Sequence, residues 1–179
     1  DIATGTIYKL YQSRFPVLVL EIANPSCIRR TISFCEAVFD KKVEVEGVTA
    51  KRAESLEDAF AIYGQGQIPV MIDENGSMIQ EVQPPVVVDA ILAKRNLGTK
   101  ITDAPAVIGV GPGFCAGKDV DAVIETQRGH NLGRVIYEGE AAPNTGIPGM
   151  IGGYAKERVI HAPATGTVSY THLTLPTIA

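Results

Sequence analysis

The sequence predicts an α/β fold with a mostly parallel sheet, followed by a β-hairpin region and the first strand of a further β module. Three observations carry this reading. Residues 15–22, 68–73, 86–90 and 106–110 are short, continuous apolar runs, which read as strands buried on both faces, as in a parallel sheet. Around the first of these runs, apolar residues recur at the three- and four-residue spacing of helices, giving the alternation expected of α/β layers. From about Asp119 the pattern changes to two short strands, residues 122–126 and 134–138, joined by a polar loop.

Taken in order, Ile2, Ile7, Leu10 and Tyr11 share one face of a helix that runs to about Arg14. A helix followed by the strand at residues 15–22 is the second half of a β–α–β unit, so a first strand is expected ahead of Asp1. After Asn24-Pro25-Ser26, the residues Ile28, Ile32, Cys35, Val38 and Phe39 predict a second helix with Ser26 as its N-cap. Val43-Glu44-Val45-Glu46 alternates like a strand, and Gly47 turns it into residues 48–52. Ser55-Leu56-Glu57-Asp58 resembles a capping box with Asp in place of Glu, opening a helix to about Tyr63 that Gly64 and Gly66 end. The strand at residues 68–73 leads into a turn at Glu74-Asn75-Gly76-Ser77, and Pro84-Pro85 precedes the strand at residues 86–90. The strand at residues 106–110 runs into a glycine-rich loop. Beyond the hairpin, residues 143–149 and Gly152-Gly153 read as a linker, and residues 158–163 begin a strand of something new.

Composition narrows the function classes. The chain has 179 residues, 45% hydrophobic and 20% charged, an ordinary globular balance. A net charge of -4 and a pI near 5.4 argue against non-specific nucleic-acid binding. No apolar run approaches the roughly 18–20 residues of a membrane helix, and no signal-peptide pattern opens the chain. Cys27, Cys35 and Cys115 are an odd set at no metal or redox spacing, so a reducing, cytoplasmic setting is expected, with neither nucleic acid nor membrane as partner. Residues 168–179 read as one frame of a translated sequencing adapter and are set aside, which leaves His130 and His161 as native histidines.

Several segments match one family in order. They are Asp1-Ile2-Ala3-Thr4-Gly5, Ile28-Arg29-Arg30-Thr31, Glu46-Gly47-Val48-Thr49-Ala50 and Ala93-Lys94-Arg95-Asn96-Leu97-Gly98-Thr99. Gly109-Val110-Gly111-Pro112-Gly113-Phe114 follows, and then Val123-Ile124-Glu125-Thr126-Gln127-Arg128-Gly129-His130, continuing through Gly133-Arg134-Val135-Ile136. The ordered set resembles the YqeB-type accessory factors of selenium-dependent molybdenum hydroxylases over nearly all of residues 1–167. This resemblance implies a role in maturing such hydroxylases, with the hydroxylase or its maturation machinery as partner. It also implies a glycine turn ahead of Asp1 and a biotinyl/lipoyl-like barrel sandwich of which residues 158–166 would be the first strand and turn. On that reading the chain is a piece of a longer protein.

Four groups of residues are candidates for chemistry. With glycines ahead of Asp1, Ala3 would take the last small position of a dinucleotide fingerprint, and the helix start at Asp1, Ala3, Thr4 and Gly5 would offer N–H groups to a phosphate. Glu21, about 20 residues on, would then bond a ribose hydroxyl; ordinary α/β packing explains these residues equally well. The second group is Gly109, Gly111, Gly113, Gly117 and Lys118, where glycines admit a close ligand, N–H groups can form an anion nest, and Lys118 adds charge. This loop is not a Walker A motif, because the glycine spacing before Lys118 does not fit and Asp119 follows it. Alternatively its glycines only make turns.

The third group is Glu125, Arg128, His130 and Arg134. Two guanidinium groups and an imidazole on one loop suit an anion, with His130 as proton carrier, though a solvated hairpin would look the same. The fourth is Arg29-Arg30, with Lys94-Arg95 beside it in kind; a nearby carboxylate is the simpler explanation for these cations. Cys27 and Cys35, eight residues apart on the second helix, read as packing residues. Cys115, near Lys118, is the one candidate reactive thiol.

The expected organisation is therefore a Rossmann-like part at residues 1–100, a glycine-rich loop and hairpin at 101–150, and the start of a barrel-sandwich-type module at 151–167. The expected ligand is a small anion: a nucleotide or dinucleotide, a cofactor precursor or an anionic selenium species. Two alternatives stay open, a nicotinamide-dependent oxidoreductase and a non-catalytic docking scaffold for the hydroxylase.

Overall fold

The computed structural model describes residues 2–160. The described residues fall into two units, one ending at Pro143 and the other beginning at Asn144. Asp1, His161 and the adapter-like residues 168–179 lie outside the described residues, as does most of the expected barrel-type segment. The described part is mixed α/β, with parallel pairs in both of its larger sheets and no closed barrel.

The first sheet is built where the apolar runs predict it. Helix α1 (Ile2–Gln12) lays Ile7, Tyr8 and Tyr11 on the core and leads into β1 (Val19–Glu21). Next, β2 (Lys42–Val45) and β3 (Val48–Ala53) form an antiparallel hairpin whose turn has positive φ at both Glu46 and Gly47, the backbone twist that tight hairpins require. After α3 (Leu56–Gly64), β4 (Ile68–Ile72) inserts between β1 and β3 and runs parallel to both, giving the order β1-β4-β3-β2. Each face of this sheet is covered, by Phe34, Ala37 and Val38 against Ile68 and Val70 on one side, and by Ala59 and Ile62 against Ala53 and Met71 on the other. The Ser55 cap is confirmed: its hydroxyl accepts the Asp58 N–H at 3.1 Å, and the Asp58 carboxylate accepts the Glu54 N–H at 3.1 Å.

The second predicted helix does not form as expected. Residues 28–39 instead make two 3-10 turns, Arg30–Ile32 and Phe34–Glu36, before a single α-helical turn, α2 (Ala37–Asp40). Ile28 and Ile32, read as core-facing, are 93% and 49% exposed, while four successive residues from Ser33 to Glu36 are buried. Burial of consecutive positions is incompatible with one amphipathic face. The Thr4 hydroxyl accepts the Phe34 N–H at 3.1 Å, and Arg30 is clamped on the Glu36 carboxylate, so local polar anchors override the apolar spacing. Ser26 consequently caps no helix.

A short helix the sequence reading passed over, α4 (Ser77–Val82), follows β4. Asp73 organises it, accepting the Ser77 hydroxyl at 2.9 Å and the Met78 N–H at 2.8 Å. Burial pushes the Asp73 carboxyl up, but the hydrogen bonds from Met78, Ser77 and Asn75 outweigh it and leave the group below its ordinary value.

The second sheet is separate from the first. It contains β5 (Val86–Asp89), β6 (Ala106–Val110), β8 (Ala122–Ile124) and β9 (Val135–Ile136), in the order β5-β6-β8-β9, while β7 (Cys115–Ala116) pairs with β10 (Gly139–Glu140) beside it. The first three strands of the sheet are parallel, and β8–β9 is the antiparallel hairpin expected from the sequence. Its core is Val107, Phe114, Ala116, Val120, Val123 and Ala141. In the second unit, the described residues form an isolated bridge between Ile151 and Tyr154 and a 3-10 turn at Lys156–Arg158, with the Arg158 guanidinium donating to the Gly149 carbonyl at 2.7 Å.

Candidate functional site

Because β5, β6 and β8 are parallel, their carboxyl ends lie on one edge, where α/β sheets characteristically hold ligands. Three loops converge there. A Cβ placed on Gly111 (φ +83°) would sit 2.8 Å from the Leu92 side chain, after β5, and 2.9 Å from the Thr126 hydroxyl, after β8. A Cβ on Gly113 (φ +113°) would sit 2.6 Å from the Arg95 backbone. Both glycines thus serve close approach of backbone to backbone and to side chain, and their left-handed φ excludes other residues at little cost only to glycine. Gly109, on β6, makes room for the Phe114 ring, 2.5 Å from where a Cβ would be.

Polar side chains fix the loop after β5. The buried Asp89 carboxylate accepts the Ile91 N–H at 3.1 Å and the Thr99 hydroxyl at 2.6 Å. Asn96 accepts the N–H groups of Gly98 and Thr99 and donates to the Thr99 carbonyl, each at 2.8 Å. Leu92 and Lys94 hold φ of 60° and 65°, a conformation uncommon outside glycine that the surrounding bonds sustain.

Glu125 is the corresponding anchor after β8. Its carboxylate is buried at 6% exposure and accepts the N–H groups of Gln127 at 2.7 Å and Ala142 at 2.8 Å. Burial pushes this carboxyl up, yet the N–H groups of Ala142, Gln127 and Thr126 outweigh it and hold the group below its ordinary value. Glu125 is a brace for the hairpin loop rather than an exposed charge. It also borders an open concavity of about 420 Å³ with Asn131, Arg134, Ile136, Tyr137 and Glu138.

Arg128 and His130 are exposed on the loop that follows, after the same strand end. The structure therefore brings Gly111 and Gly113 to the edge that also carries the loops of Lys94, Arg95, Arg128 and His130. It does not bring Gly117 and Lys118 there. Those residues form a tight turn leading back toward the amino end of β8, in which the N–H groups of Gly117, Lys118 and Asp119 bond Val120 and Cys115 carbonyls at 2.8, 3.2 and 2.9 Å. Asp119 in turn accepts the Cys115 N–H at 3.0 Å. With these amides engaged within the turn, Lys118 stands apart from the rest of the glycine loop.

In α1, Thr4 is buried against Ser33 and Phe34, while Ala3 is half-buried and Gly5 exposed. Glu21 lies at the end of β1, its carboxylate accepting the Ile22 N–H at 2.8 Å. Arg30 pairs with Glu36 and lies 5.0 Å from the Phe39 ring, the intramolecular carboxylate that the sequence made the simpler explanation. The contributions of Asp89, Leu92, Asn96 and Thr126 were missed. Asp89 ending an apolar run, with Asn96 and Gly98 after it, is the signal that marks a structured loop there. Among the described residues, no group of three or more His, Cys, Asp or Glu side chains is placed to hold a metal ion, and no helix is long and apolar enough to cross a membrane.

No family model matches the chain, and no solved structure matches it. The chain is 54% identical to uncharacterized protein YqeB of Escherichia coli (strain K12) over 166 residues, which cover 93% of this chain and 31% of that protein. The chain thus spans about a third of the length of the relative it matches. The YqeB-type resemblance read from the ordered motifs agrees with this similarity.

Proposed function

We propose that the chain is part of an accessory factor for the maturation of selenium-dependent molybdenum hydroxylases, and that it binds a small anion at the carboxyl edge of the second sheet. The observation that carries the binding site is the convergence of Gly111 and Gly113 on Leu92, Arg95 and Thr126 at the ends of three parallel strands. Glycines that let three loops meet bring the loops carrying the cations of Lys94, Arg95 and Arg128 and the imidazole of His130 to one edge, a chemistry suited to a phosphate-bearing nucleotide, a cofactor precursor or a selenium oxyanion. His130 is the proton carrier of this reading and Arg128 the anion clamp. The pathway rests on the ordered YqeB-type motifs, as do the Rossmann-like character of residues 1–100 and a barrel-sandwich module beginning near residue 158.

The test has two parts. Calorimetric titration of the full chain with ADP, NAD, phosphate and selenite reads binding; at least one should bind, and Arg128→Ala with His130→Ala should weaken it by about tenfold or more, the loss of a charge-assisted contact. In cells, His130→Ala should abolish molybdenum hydroxylase activity while the variant stays folded by circular dichroism. Normal hydroxylase maturation in that variant rejects the reading.

A further inference from the structure

The β8–β9 hairpin carries a groove that a bare anion would leave mostly empty. Strand β9 is the last in its sheet, and the open concavity of about 420 Å³ bordered by Glu125 is walled by five consecutive residues, 134–138. A wall of consecutive residues means that the groove runs along the outer edge of the strand. The backbone there has a definite direction. The Glu125 N–H bonds the Arg134 carbonyl at 2.9 Å, and Val123 is the register partner of Ile136. Alternation along an antiparallel pair then turns the N–H and C=O of Val135 outward, away from β8. A donor and an acceptor side by side on a strand edge match the donor and acceptor that a nucleobase presents on its Watson–Crick edge.

The side chains extend the match. Tyr137 is 75% exposed and lines the groove, so an aromatic face stands open at the end of β9, the kind of surface on which bases stack. Among the described residues, the side chains of Asn131, Arg134, Tyr137 and Glu138 bond no neighbour. Glu125 beside them is occupied by the N–H groups of Gln127 and Ala142. Charge is divided along the groove. Arg134 lies at the end that adjoins the loop of Arg128 and His130, a loop closed by the Leu132 N–H on the Gly129 carbonyl at 3.2 Å and the Gly133 N–H on the Glu125 carbonyl at 2.8 Å. Tyr137 and Glu138 lie at the other end, three residues of extended chain or about 10 Å away. The volume falls in the range of small-molecule and cofactor sites, and phosphate or selenite would fill only a fraction of it.

We propose that this groove binds the nucleoside part of a nucleotide, whose phosphates are then the small anion of the second-sheet site; the inference rests on that anion reading and narrows its ligand class. The base lies on the Tyr137 ring and bonds the Val135 N–H and C=O. Glu138 accepts a ribose hydroxyl, the role an acidic residue takes in many nucleotide sites. Arg134 and the Asn131 amide, with Arg128 and His130 on the same loop, take the phosphates.

The experiment titrates the full chain by calorimetry with ADP, GDP, CDP, ribose 5-phosphate and pyrophosphate. At least one nucleoside diphosphate should bind about tenfold or more tightly than pyrophosphate and ribose 5-phosphate, the gain expected of a stacked base. Tyr137→Ala should remove that advantage and Tyr137→Phe should keep it. Tyr137 is exposed, so neither change touches core packing, and unchanged pyrophosphate affinity in both variants controls for the fold. Pyrophosphate binding as tightly as every nucleotide, or a nucleotide preference that survives Tyr137→Ala, overturns the inference and leaves the anion site standing. Binding of none of the five ligands overturns the anion reading with it.

Discussion

The first sheet, β1 to β4, is sandwiched between two apolar clusters, with Phe34, Val38, Ile68 and Val70 on one face and Ala59, Ile62 and Met71 on the other. The second, β5, β6, β8 and β9, has one cluster, around Val107, Val120 and Val123. Carboxylates bond loops and strand ends beside both sheets: Asp58 on Glu54 N–H and Asp73 on Met78 N–H at the first, and at the second Asp89 on Ile91 N–H, Asp119 on Cys115 N–H, Asp121 on Val107 N–H, and Glu125 on Gln127 and Ala142 N–H. Apolar burial is non-directional and holds layers together. Hydrogen bonds to carboxylates are directional and hold loops in one conformation. With one apolar cluster rather than two, the second sheet leans more on such bonds, and its loops carry the candidate binding residues.

The comparison breaks most severely if Phe34→Ala affects both sheets alike. Removing this fully buried ring should cost about 3–5 kcal/mol, read by urea unfolding, and hydrogen exchange should accelerate in β3 and β4 before β5 and β6. Uniform acceleration would mean a single cooperative unit. Next in size is Gly113→Ala, which combines a left-handed φ with collision against the Arg95 backbone and should cost about 2–3 kcal/mol. Its exchange footprint should fall on the loops around residues 91–96 and 111–114, which sharpens the claim that these loops are packed as one body.

Glu125→Gln should cost about 1–3 kcal/mol at neutral pH, since an amide cannot accept both N–H bonds on equal terms and presents a donor to them. The pH dependence has a definite sign. The folded carboxyl lies below its ordinary value, so its contribution is fully present above the unfolded value of about 4.3, declines as pH falls through the lower folded value, and is absent below that. The variant should therefore show a flatter fall of stability in that acidic window, measured by urea midpoints across pH. Smallest is the Ser55→Ala cap, which should cost about 1 kcal/mol and leave exchange in the second sheet unchanged.

Much of this was readable from residue order. The strands at 19–21, 68–72, 86–89 and 106–110 announced themselves as apolar runs, the Ser55 cap as a capping box, and the β8–β9 hairpin as two short strands around a polar loop. These are signals carried within a few residues by side-chain burial and backbone propensity. The failure at residues 28–39 shows where that stops: Ile28 and Ile32 have helical spacing, but the Thr4 hydroxyl and the Arg30–Glu36 pair bind the segment into turns. Likewise, Gly111 and Gly113 are visible as glycines, yet nothing near them in sequence says that Leu92, Arg95 and Thr126 occupy the space a Cβ would need.

Residue order was enough for the α/β class, most strands, and the location of the glycine loop, because each depends on the periodicity or composition of a short stretch. Tertiary structure decided the rest: that β5 pairs with β6 rather than extending the first sheet, that Lys118 turns away from Gly111, and that Glu125 is a buried brace. Each of those depends on which distant groups compete for a backbone N–H, a carboxylate or a packing site, and that competition is resolved only when the chain is folded.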